Sequence, residues 1–74
     1  MEQQEMQELA LDGKDHIKLC DLLAVTQLCE SAGVAKNIIA TGVVKVDGQV
    51  ELRKRAKILR GQLIEYRGEK VKVV

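Results

Sequence analysis

The stretch that decides the fold is Ser31–Arg60, SAGVAKNIIATGVVKVDGQVELRKRAKILR. Ser31 is a helix-start signal, since its hydroxyl can accept from the free N–H groups of a first turn. Ala35, Ile38, Ile39 and Gly42 share one helical face. Gly42 stands where a helix ends in a left-handed residue, which glycine adopts at least cost. From Val44 the apolar period changes from helical to alternating: Val44 and Val46 flank Lys45. Asp47-Gly48 is a hairpin signal, because a type I′ turn needs positive φ at both central residues. Val50 and Leu52 then alternate with Gln49, Glu51 and Arg53. The predicted order is helix, glycine stop, hairpin, basic run.

The same stretch holds seven bases (Lys36, Lys45, Arg53, Lys54, Arg55, Lys57, Arg60) against two acids, Asp47 and Glu51. Ordered backbone would hold that charge in a fixed array, which suits a fixed array of phosphates. The net charge of +1 conceals an asymmetry. Residues 1–15 carry Glu2, Glu5, Glu8, Asp12 and Asp15 against Lys14, a net of −4. Residues 16–74 carry the other eleven bases and six acids, a net of +5. Such a split points to an interaction surface with an opposite-sign tail.

Upstream, residues 1–8 have no apolar period and are expected to be disordered. Leu9 and Leu11 suggest a short strand before the Asp12-Gly13 turn. Leu19, Leu22, Leu23 and Thr26 mark a first helix, with Asp21 favourable in its first turn. Downstream, Ile58 and Leu59 interrupt the basic run and are expected to return to the core. Ile64 with Tyr66, and Val71 with Val73, read as two strands joined near Gly68. The fold class is α+β: two short helices on a small, mainly antiparallel sheet, with residues 9–74 as one domain. The expected core is Leu19, Leu22, Leu23, Ala35, Ile38, Ile39, Val44, Val46, Val50, Leu52, Ile64 and Val73.

In order, Ser31-x-x-x-Ala35-Lys36-x-Ile38-Ile39-x-x-Gly42-x-Val44-x-Val46-Asp47-Gly48 resembles the helix-plus-hairpin signature, or αL motif, of the RNA-binding domain named after small-subunit ribosomal protein four. The resemblance covers roughly residues 17–66, from Lys18-Leu19-x-x-x-Leu23 to Ile64, and is greatest to small stand-alone bacterial members. It departs from the family at Ala32, where many members carry Arg, at Cys20, and at Gln62, where Asp is common. The resemblance implies an RNA-binding αL domain, with Lys36 facing RNA backbone. The basic run is expected to compensate for Ala32.

Other chemistry is scarce. A single tyrosine, Tyr66, and no Phe or Trp cannot build a base-stacking platform, so shape and phosphate recognition is expected. His16, Cys20 and Cys29 are too few and too widely spaced for a structural zinc site. His16 is the only histidine, Ser31 is explained as a cap, and no glycines form a phosphate loop, so no enzyme and no cofactor are expected. No run approaches the ~20 apolar residues that span a membrane, and no secretion signal is expected from the Gln/Glu-rich start. A cytoplasmic monomer that binds structured RNA, ribosomal RNA included, is the functional expectation. The RNA-binding residues would be Lys36, Lys45, Arg53, Lys54, Arg55, Lys57 and Arg60. The alternative is an adaptor whose basic face docks an acidic protein. Neither reading has a membrane or a small-molecule substrate as partner.

Overall fold

The computed structural model describes residues 6–74, and the change of period at Val44 divides its helices from its main hairpins. Helix α1 spans Leu19–Val25 and helix α2 spans Ala32–Ala40. The Ser31 hydroxyl accepts from the Val34 N–H at 3.2 Å, which supplies the predicted cap. The two helices pack on each other. They bury Leu19, Leu22 and Leu23 from α1 and Ala35 and Ile39 from α2.

Around them run strands β1 (Met6–Leu9), β2 (Ile17–Lys18), β3 (Lys45–Val46), β4 (Gln49–Val50), β5 (Lys57–Ile58), β6 (Leu63–Tyr66) and β7 (Glu69–Val73). Five form one sheet in the order β1-β7-β6-β3-β4, and β2 with β5 forms a separate pair. All pairings are antiparallel except β1 with β7. Ile64 and Tyr66 of β6 and Val71 and Val73 of β7 alternate into the core. Lys45, Glu65 and Lys70 form a cross-strand row on the other face. The α+β class and the mainly antiparallel sheet agree with the sequence.

Several expectations need correcting. Met6–Glu8 belong to β1 and are not a disordered start; residues 1–5 lie outside the described residues. β1 is held because the β7 edge offers it backbone partners and because Leu9 packs against the core. The Leu11 N–H also donates to the Val74 carbonyl at 3.1 Å. Val50 and Leu52 are not core residues: they are 52% and 59% exposed. A two-residue turn at Asp47-Gly48 fixes Val46 opposite Gln49 and Lys45 opposite Val50. Val50 therefore shares the face of Lys45, not that of Val46, and continued pairing would set Leu52 beside Val43. Leu59 is half exposed, while Ile58 alone turns inward. Ile38 and Val46 are only partly buried at the core's edge. Leu11, Cys20, Cys29, Ala56, Tyr66 and Val71 join the core instead.

Gly42 has φ of +83°, as a helix stop requires. A β-carbon there would meet Leu52 Cδ2 at 3.7 Å and Val50 Cγ1 at 3.9 Å, which is ordinary contact. The cost of Gly42→Ala is thus backbone strain rather than a clash. It is expected to be about 1 kcal/mol or more in urea unfolding. An unchanged midpoint would contradict the left-handed stop.

Candidate nucleic-acid interface

The basic run has little regular structure of its own, yet backbone bonds at Lys54 and Ala56 pin it to the start of α1. The Leu19 N–H donates to the Ala56 carbonyl at 2.9 Å and the Cys20 N–H to the Lys54 carbonyl at 3.2 Å. The start of α1 therefore holds the segment in place, and burial of Ala56 and Ile58 anchors it to the core. The charged neighbours Lys54, Arg55 and Lys57 must then face solvent, and all three are exposed.

This arrangement brings part of the predicted cation set together. Lys36, half-buried on α2, lines an open concavity of about 540 Å³ with Leu52, Lys54 and Arg55. Arg55 also borders an adjoining depression with Arg53, Ala56 and Lys57. Leu52 and Val50 lie over Gly42 on this side. With Val43, they leave apolar surface beside the cations. The sequence reading missed this apolar component.

Two predicted residues stand apart. Lys45 lies on the sheet's outer face and lines a different depression with Val43, Glu65 and Arg67. Its cross-strand neighbour Val50 lies next to Gly42, as Leu52 of the concavity does. Arg60 lines another depression with Lys14 and Asp15, and not the concavity of Lys36, Lys54 and Arg55. Arg67 was not singled out in the sequence, because it lies beyond the basic run; its place next to Lys45 comes from the β3–β6 pairing.

Arg53 is in the cluster but is not free. Its backbone N–H, Nε and Nη2 donate to the Glu51 carboxylate at 2.9, 3.0 and 3.1 Å. Those bonds, the side-chain one foremost, hold the Glu51 carboxyl below its usual range. A second carboxylate locks the hairpin tip. Asp47 Oδ1 accepts from the Leu63 N–H at 3.0 Å, and Oδ2 accepts from Gln62 Nε2 at 3.1 Å. Gln62 Oε1 in turn accepts from the Leu59 N–H at 2.8 Å. Gln62 thus ties two loops together, which neither its position nor its type announced. The Leu63 bond, then the Gln62 bond, keep the Asp47 carboxyl below its ordinary value.

Both carboxyls are depressed in the folded state, so their contribution is complete above the unfolded values and is lost as pH falls through the folded ones. Stability is expected to drop below about pH 4. Asp47→Asn should weaken that dependence and lower stability at pH 7, because its amide would face the Gln62 amide donor to donor. Urea midpoints at neutral and acid pH check this; parallel curves for both proteins would contradict it.

Other candidates reduce to structure. Cys20 and Cys29 are buried free thiols, and burial pushes the Cys29 thiol up. Tyr66 is buried, so its ring is not offered to a base. Among the described residues no His, Cys, Asp and Glu side chains gather into a metal-binding group. No helix of the described residues is long and apolar enough to cross a membrane.

A helix capped by serine, a left-handed glycine stop, a type I′ hairpin and cations around their junction define a recognisable class. The chain belongs to the S4-domain family, whose model, described as S4 domain, matches residues 9–74. It is similar to "Putative RNA-binding protein YbcJ" of Escherichia coli K12, with 48% identity over 69 residues, 93% of this chain and 99% of that one. "Uncharacterized protein YbcJ" of Shigella flexneri matches with the same identity over the same shares. The solution structure of Escherichia coli YbcJ superposes with a TM-score of 0.75 at 44% identity, covering 100% of this chain and 94% of that one. That structure is described as revealing an αL motif involved in RNA-binding.

Proposed function

We propose that this protein is a non-catalytic, cytoplasmic RNA-binding monomer that grips structured RNA, ribosomal RNA among the candidates, through phosphates at its αL junction. The observation that carries this is the concavity where Lys36, Lys54 and Arg55 converge on ordered backbone with no carboxylate lining it. Arg offers a planar fork to phosphate oxygens and Lys a mobile point charge. Leu52 and Val50 would give the ribose or base of a held nucleotide an apolar surface to lie against. Arg53 and Lys57 extend the cationic surface, while Lys45, with Arg67, and Arg60 would reach more distant phosphates. Relatives named or described for RNA binding support the reading.

The test compares an RNA hairpin with an acidic polypeptide across a salt series. If about four cations meet phosphates, log affinity for RNA should fall with log salt at a slope of roughly −3 to −4. Tighter binding of the acidic polypeptide would favour a protein-docking adaptor instead.

A further inference from the structure

Strands β2 and β5 set Lys18 directly opposite Lys57. The Leu19-to-Ala56 backbone bond flanks this pair, the pattern of a non-hydrogen-bonded pair, in which opposed side chains stand closest. Both lysines are exposed. Like charges directly opposite each other destabilise a sheet, and this sheet has only two residues per strand. The ion pair among the described residues is Arg53 with Glu51, so no described carboxylate neutralises either ammonium. Lys57 also borders the depression that holds Arg53 and Arg55. The doublet therefore continues the cationic surface onto an element outside the basic run.

We infer that Lys18 and Lys57 together hold one backbone phosphate of the bound RNA. A phosphodiester has two free oxygens, one for each ammonium, and its charge relieves the repulsion that the free protein carries. This rests on the RNA reading above and adds Lys18 as a binding residue. The plain alternative is a pair of solvated lysines that guard a strand edge; those would have no effect on RNA.

The experiment measures melting of the free protein and hairpin affinity across a salt series for wild type, Lys18→Gln, Lys57→Gln, the double variant and Lys54→Ala/Arg55→Ala. Lys18→Gln should raise the melting temperature by about 1–6 °C at low salt. That gain should shrink as salt screens the repulsion. The same variant should weaken RNA binding by about fivefold near 0.1 M salt and reduce the salt slope by about 0.7–0.9. Because the two lysines share one phosphate, the double variant should lose less than the product of the single losses. Unchanged affinity for Lys18→Gln, with a clear loss for Lys54→Ala/Arg55→Ala, overturns the shared phosphate and leaves the RNA reading standing. A lowered melting temperature without a change in affinity overturns it too, since Lys18 would then serve packing alone. No loss in any variant removes the RNA reading itself.

Discussion

Replacing Lys54 and Arg55 together with alanine is expected to weaken binding to a structured RNA hairpin by roughly 20- to 60-fold near 0.1 M salt. Each phosphate contact contributes about 0.7–0.9 to the salt slope, so two contacts scale affinity by that much between about 1 M and 0.1 M. The slope should flatten by about one and a half. The fold should survive, because both side chains are exposed and such changes usually cost under about 0.5 kcal/mol. Loss should be similar for different sequences of one RNA shape, since phosphates carry no base identity. Lys70→Ala with Lys72→Ala removes equal charge from β7, outside the concavity. An equal loss from both double variants would show that only net charge matters.

The largest effect on stability is expected at Ile39. Its side chain is fully buried on the inner face of α2, the helix that carries Lys36. Ile39→Ala should cost about 2–5 kcal/mol by lost burial and the cavity left behind. A domain of 74 residues has little margin, with total stability commonly about 5 kcal/mol or somewhat more, so the variant should lose a large part of its stability and unfold at a much lower denaturant concentration. Ile38, one position away and only partly buried, should cost clearly less when changed to Ala. Denaturant midpoints for the two variants provide the check. Equal costs would contradict the helical face described for α2.

That contrast also marks the limit of sequence reading. Periodicity placed both isoleucines on the apolar face, and it found the cap at Ser31, the stop at Gly42 and the turn at Asp47-Gly48, because each has a local chemical signature. It fails at Val50 and Leu52, where simple alternation puts both residues in the core but the register puts them on the outer face. A two-residue turn pairs Lys45 with Val50, and that pairing is implicit in Asp47-Gly48. The short strand suggested at Leu9 and Leu11 is β1, but its reach back over Met6–Glu8 has no local signal, because its reason to exist is the distant β7 edge. The Asp47–Gln62–Leu59 network and the Lys18–Lys57 pair join residues far apart in the chain. No local pattern encodes them. For the candidate site, composition revealed the cations but not their grouping. Packing draws Lys36 to Lys54 and Arg55, ties Arg53 to Glu51, and leaves Arg60 beside Lys14.

Backbone amide NMR during titration with an RNA hairpin shows whether RNA meets the αL junction. Shifts are expected to concentrate at Lys36, Gly42 and residues 52–57, with Lys18 included. Gln27, Leu28 and Glu69, which line a separate depression, should stay in place. Shifts centred on that depression, or spread evenly over the surface, would contradict it.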